Sequence, residues 1–463
     1  MKVLKLIRIN LKEVVIVGLI LLFALFLRLY NLDQRTAFNA DQEWLAFRAR
    51  DVIKGDFPLL GPVTSVGSFS IGPGYVYLMA FIGLFTNFTP ISGALLSVLL
   101  GVLFLLSLYL FIRHFVDSKT AYIILFLTTI SFNLISWDQS PWAPSLFYFS
   151  QMIMLFGAYL SNKKQIGLIL VATGFVMGFQ SHFGVVLSII SIIFFLLFIR
   201  PIKPTLKTIT TIGLILFFGF LPNLLFDITH NFTNLKRIVM AFAGDGVDYF
   251  VSFNKVISVL NFNTTSLIYP RNNNLIDSLI TKTLFAIILV NAISLLRDKK
   301  FKNMSFLLLV TGILPASLFY IQQGKFSEYY LMMTVPSLIL LLALFIYRIA
   351  KNKLLIALLI FVSVITNFKD FKDKYVPWNL GAKENVVGRI VEKGGTDGYG
   401  ISLTTSLGNN FGFKYILDYY GVKAQMPPKQ GETKIFSIII PEGFDGMVGM
   451  EDYSGIGLRW SGI

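Results

Sequence analysis

Long apolar runs separated by short polar turns repeat along most of the chain. The first covers residues 14–30, and others follow near 91–112, 120–136, 144–160, 166–181, 184–199, 209–226, 275–296, 304–321, 331–347 and 354–367. A helix of roughly 20 apolar residues crosses a bilayer, so runs near that length predict transmembrane helices. The run at 71–85 is shorter and opens with Gly72-Pro73-Gly74, which predicts a helix lying in the membrane interface. Residues 32–90 then form one long outer loop that holds one or more juxtamembrane helices.

Basic residues orient this pattern. Lys2, Lys5, Arg8 and Lys12 precede the first run. Alternate turns carry Arg113 and Lys119, then Lys163 and Lys164, then Arg200, Lys203 and Lys207. Further on, Arg297, Lys299, Lys300 and Lys302, and finally Arg348, Lys351 and Lys353, fall on the same side. The intervening short turns are poor in base: residues 137–143 have none, and 322–330 have only Lys325. A crossing at 71–85 would invert every later basic turn. The expected fold is therefore an α-helical polytopic membrane protein with about eleven spans, a cytoplasmic N-terminus and an extracytoplasmic C-terminus.

From residue 369 hydropathy falls while glycine and charge rise. This divides the chain into a transmembrane domain, 1–368, and a small extracytoplasmic α/β domain, 369–463. In the latter, helices are expected at 384–393 and 411–420, and strands at 400–404 and 435–440. Residues 227–274 form a second long outer segment, in which 236–242 has the pattern of an amphipathic helix lying on the membrane. The chain shows no internal repeat, which weighs against transporters built from repeated halves.

Composition agrees with a membrane protein. Of the 463 residues 55% are hydrophobic and 14% charged, against about a quarter charged in soluble domains. The net charge of +15 lies largely in short turns, where it sets topology. The basic residues form no single patch or known module, so nucleic acid is not an expected partner. The first run continues through Leu27 without a small-residue cleavage site and is expected to be retained. The chain has no cysteine, so disulfides and thiolate metal sites are excluded.

Candidate chemistry begins in the first outer loop, at Phe38-Asn39-Ala40-Asp41-Gln42-Glu43-Trp44. Neither insertion nor packing needs Asp41 and Glu43 there. They either cap the helix that begins at Trp44, or a partly desolvated carboxylate among them serves as a base. Arg28, Arg35, Arg48 and Arg50 lie nearby in sequence and could hold a phosphate or pair with the acids. Lys325 is either a snorkelling lysine or an anion ligand. His182 and His230, at the ends of apolar runs, either cap helices or meet substrate hydroxyls. Asp138 either ties down its turn or joins the site. Trp137, Trp142 and Tyr148 suit either an aromatic belt or stacking on sugar faces. Three scattered histidines do not make a dedicated metal site. A carboxylate-held divalent cation at Asp41 is the one cofactor left open.

Leu27-Arg28-Leu29-Tyr30-Asn31-Leu32, then Asp41, then Ala49, Ile53, Gly55 and Pro58, resembles the opening of the GT-C glycosyltransferases. More narrowly it is similar to the bacterial branch related to protein O-mannosyltransferases and the aminoarabinose transferase of lipid A. That family carries an Asp-Glu pair in its first outer loop. Here the pair is Asp41-Gln42, with Glu43 one place later. Gly72-Pro73-Gly74-Tyr75 falls where relatives often carry a basic residue before proline. Lys325-Phe326-Ser327-Glu328-Tyr329-Tyr330, followed by Pro336, resembles the family's late outer loop, whose lysine lies near the lipid phosphate. Relatives also place an acid just before the helix that starts near Pro144; the residue here is Ala143, and Asp138 is the candidate substitute.

The resemblance implies a GT-C-like fold and an inverting transfer of a hexose or pentose. The donor is a sugar on polyprenyl phosphate; the acceptor is an extracytoplasmic lipid, glycan or protein. It implies Asp41 as the base. Glu43, Arg28, Asp138, His182, Arg271, Lys325 and Tyr329 are the expected substrate-binding residues. The rival expectation is a polytopic transporter or lipid flippase, for which ionisable residues inside the spans would be the sign.

Overall fold

A computed structural model describes residues 10–64, 68–243, 252–270, 274–322, 328–405, 412–440 and 450–462. The chain is a multi-pass helical membrane protein with a small C-terminal sheet. By length and composition, 6 described helices can cross a membrane, or 7 when Ser118–Ile130 and Phe132–Asp138, bent by 63° at Ser131, are one broken span. Ser145–Leu160, Ile166–Phe179 and Val185–Ile199 are apolar but shorter. The helices occupy the apolar runs expected from sequence. The length criterion establishes these spans and not the full count of about eleven.

Position in the bundle follows side-chain chemistry. Tyr329–Ile349 is buried along most of its length and forms the centre. Leu206–Thr229 turns Leu214, Phe217, Phe218, Leu224 and Leu225 outward and lies at the rim. Gly74–Thr86 has only 13 residues and ends at Asn87, which adopts a left-handed conformation. It packs on Ala40–Ile53 and Ser92–Phe115, as befits a helix too short to cross. The amphipathic segment is a helix over Thr233–Ala243, with Leu235, Val239 and Met240 exposed on one side. Asn234, in its first turn, exchanges two hydrogen bonds with the Ser70 backbone, 2.7 and 3.1 Å, and so fixes the loop before Gly74.

The C-terminal region forms one sheet in the order β1-β2-β4-β3: β1 Gly400–Thr405, β2 Ile435–Ile440, β3 Glu451–Tyr453 and β4 Ile456–Ser461. The first two strands are parallel and the remaining pairings antiparallel. Helices Leu380–Gly394 and Phe413–Tyr419 match the expected ones, while β3 and β4 were not expected. The apolar core under this sheet is not closed on itself. Val386, Ile401, Phe413, Ile438 and Leu458 belong to the same buried cluster as Phe38, Leu45, Ala46, Tyr75 and Leu100. The sheet region and the loop after the first helix therefore share one interior.

Candidate active site

Helix Ala40–Ile53 starts where its sequence directs. Asn39 is extended, and its N–H donates to the Gln42 side chain at 2.9 Å. Asp41 and Glu43 place negative charge in the first turn, where the helix dipole favours it. Gln42, standing where the resembled family has its second acid, is thus engaged in capping the helix. Leu45, Ala46 and Ala49 point into the core, and Gly55, at φ +92°, ends the run.

The first turn of this helix borders two cavities. The larger, about 760 Å³, is mostly apolar, and its lining includes Asp41, Glu43, Trp142, His182, Tyr329 and Lys414. The smaller, about 380 Å³, is lined by Asn39, Gln42, Ser140, Trp137 and Trp142, and again by Asp41. Trp137 and Trp142 stack, with centroids 6.0 Å apart and planes 13° from parallel. Asp41 therefore stands between the two spaces. Its carboxylate is open to the cavities, yet the surrounding protein displaces enough water to push its pKa above the usual carboxylate value.

The C-terminal region holds this turn in place. The Tyr415 N–H donates to Glu43 Oε2 at 2.9 Å. Lys383, fully buried, donates from Nζ to the Phe38 carbonyl at 2.6 Å and to Asn39 Oδ1 at 3.2 Å. Burial lowers the Lys383 pKa to about 8, against a partial opposing pull from Glu43. Arg50 pairs with Asp418 and lies over the rings of Phe47 and Tyr415. Gly412, at φ +103°, brings its backbone against the Phe38 carbonyl oxygen, where a Cβ would collide. Glu43, expected to bind substrate, thus lines the large cavity and also anchors a distant backbone N–H.

The other walls are equally specific. His182 Nδ1 accepts from the Gly184 N–H at 3.0 Å, and burial lowers its pKa to about 4. The ring is neutral at ordinary pH, with its proton on Nε2. Tyr329 packs edge-on against Trp142 at 4.6 Å and against Tyr330 at 4.4 Å. Gln180 explains the Gly72-Pro73-Gly74 sequence. Its side chain accepts from the Gly74 N–H and donates to the Gly219 carbonyl, and it fills the space a side chain at 72 or 74 would need.

Asp41, Glu43, His182 and Tyr329 are therefore brought together on one cavity. Arg28 and Asp138 pair with each other inside the bundle and line neither cavity. Arg271 and Lys325 lie outside the described residues. Among the described residues, no group of three or more His, Asp or Glu side chains could hold a metal ion. Sequence reasoning missed Lys414, Lys383 and Gly412, all supplied by the C-terminal region.

This is the fold of the GT-C membrane glycosyltransferases. The chain superposes on ArnT from Cupriavidus metallidurans bound to undecaprenyl phosphate, with TM-score 0.62, 10% identity and 98% of each chain covered. Against the apo state of the same protein the TM-score is 0.60, again at 10% identity, covering 96% of this chain and 97% of the other. The archaeal oligosaccharyltransferase AglB from Archaeoglobus fulgidus, in complex with an inhibitory peptide and a dolichol-phosphate, gives TM-score 0.51 at 13% identity, covering 92% and 69%. No family model and no curated protein matches the chain. At these identities the likeness is one of fold.

Proposed function

We propose that this protein is a membrane glycosyltransferase that moves a sugar from a polyprenyl-phosphate donor to an extracytoplasmic acceptor, with Asp41 as general base. The observation that carries this reading is the placement of Asp41, which borders both cavities with its pKa raised by burial. The large apolar cavity suits a lipid-linked donor. The smaller one, with amide, hydroxyl and stacked indole groups, suits a hydroxyl-bearing acceptor. Support also comes from structural neighbours that hold undecaprenyl phosphate and dolichol-phosphate.

In this mechanism an acceptor hydroxyl or amine attacks the anomeric carbon as its proton passes to Asp41. The bond from that carbon to the donor phosphate oxygen breaks, and the phosphate leaves with the bonding electrons. Direct displacement inverts the anomeric centre. The Asp41 carboxylate also stabilises the oxocarbenium-like transition state, and cations stabilise the departing phosphate in the apolar cavity. Lys325 is assigned to that phosphate on sequence grounds, and the distribution of basic turns supports an extracytoplasmic site.

The test is Asp41→Asn. Loss of a general base lowers transfer by about 10²–10⁴-fold, while the variant still accumulates and still binds undecaprenyl phosphate. Full transfer by the variant would remove Asp41 from this role. Deleting the gene and comparing envelope glycans and glycolipids by mass spectrometry identifies the sugar and the acceptor.

A further inference from the structure

We propose that Lys414, from the C-terminal region, is a phosphate-binding residue of the large cavity, so that this region takes part directly in donor recognition. The inference rests on the transferase reading above and adds to it a ligand from outside the helix bundle.

Among the described residues lining the cavity, Lys414 is the one that carries an ammonium or guanidinium group. Nearby alternatives are committed elsewhere. Arg28 is held by Asp138, and Arg50 by Asp418. The Gly72-Pro73-Gly74 stretch, at the position where a basic residue would be expected from the resemblance, is packed against Gln180. Lys414 itself makes no ion pair or hydrogen bond to the described residues, so its ammonium is available to a ligand.

The backbone of Lys414 is fixed on both sides. Gly412 abuts the Phe38 carbonyl, and Tyr415 donates its N–H to Glu43. Phe413 and Tyr415 are buried, which turns the side chain between them outward, and that side chain lines the cavity that Asp41 also lines. Lys414 is solvent-exposed at the edge of the apolar cavity, so its ammonium is hydrated until an anion enters, and the attraction strengthens as the lipid-linked group displaces that water. A phosphate monoester or diester is the chemistry that fits. The departing phosphate of the reaction is such a group, and its charge grows as the sugar leaves.

The experiment uses the full-length protein in nanodiscs and measures binding of undecaprenyl phosphate, of undecaprenol, which has the same chain without the phosphate, and of inorganic phosphate. Undecaprenyl phosphate is expected to bind the parent protein more tightly than undecaprenol does. Lys414→Gln should weaken the phosphate lipid by about tenfold or more, the scale of one charge-assisted contact. It should leave undecaprenol binding unchanged, which also reports an intact cavity. Lys414→Arg should restore most of the affinity. Unchanged binding of the phosphate lipid by Lys414→Gln overturns the inference and leaves the transferase reading in place. A parent protein that does not distinguish undecaprenyl phosphate from undecaprenol overturns the donor reading itself. Equal occupancy by inorganic phosphate would make this a free-phosphate site and remove the donor assignment.

Discussion

Arg28 and Asp138 form an ion pair inside the helix bundle. Arg28 Nε donates to Asp138 Oδ2 at 2.7 Å, and the two side chains are 0% and 4% exposed. The guanidinium also donates to the carbonyls of Ala24 and Thr129, and the carboxylate lies against Gly101, where a side chain would collide with it. The pair joins the first long helix to the bent helix that ends at Asp138.

Removing one partner strands the other charge. Asp138→Leu should therefore cost about 3–5 kcal/mol, as for other broken buried pairs. The double variant Arg28→Met with Asp138→Leu should be more stable than either single change. Thermal unfolding in detergent, followed by size-exclusion profile, checks this ordering. Transfer per folded molecule in the double variant should stay near the parent level, since neither residue lines a cavity.

With Asp41 as the proposed base, the acid limb of the rate should follow its titration. The base works only when ionised, and its pKa is raised. As pH falls, activity should be lost above the pH at which an ordinary aspartate would protonate. A profile of kcat/KM against pH measures this limb. An acid limb at or below the ordinary aspartate value would show that another group controls the rate.

Lys383 links stability to pH. Its folded pKa is about 8, below the ordinary lysine value of 10.5. Below the folded pKa, both states carry the proton, and the cost of burying the ammonium is constant. Between the two values the unfolded chain binds more protons than the folded protein, so stability rises with pH across that window. Lys383→Met should remove this contribution. The check is the melting temperature of parent and variant from pH 7 to pH 10, where the difference between the two curves isolates Lys383.

Gly412 controls docking. Alanine there would need a left-handed backbone, at about 1–2 kcal/mol, and would also meet the Phe38 carbonyl oxygen. Gly412→Ala should loosen Phe413–Tyr419 from the Asp41 turn while the membrane helices stay folded. Limited proteolysis should cut the C-terminal region faster, and transfer should fall. Resistance equal to the parent would show that the turn tolerates the change.

What the sequence made legible divides along physical lines. Apolar runs are read one residue at a time, so the spans and the short helix after Gly74 could be placed without partners. Asp41 stood out because an acid so close to an apolar run has a solvation cost. The partner of Glu43 was hidden, because it is a backbone N–H 372 residues away and any residue other than proline could supply it. Gly72 and Gly74 are explained by Gln180, which no local pattern joins to them. Strands β3 and β4 could have been found: Ser454 and Gly455 both take positive φ, and a Ser-Gly pair between short alternating segments marks such a hairpin.

The long contacts to the Phe38–Glu43 turn also bear on how the molecule is made. The lysine that binds Phe38 is translated 345 residues after it, and the N–H that binds Glu43 is translated 372 residues after that acid. Until those later residues have been translated, the carboxylate at 41 lacks the scaffold that positions it. A chain interrupted between the turn and those residues can therefore enter the bilayer with its helices formed while the proposed reactive centre stays unassembled.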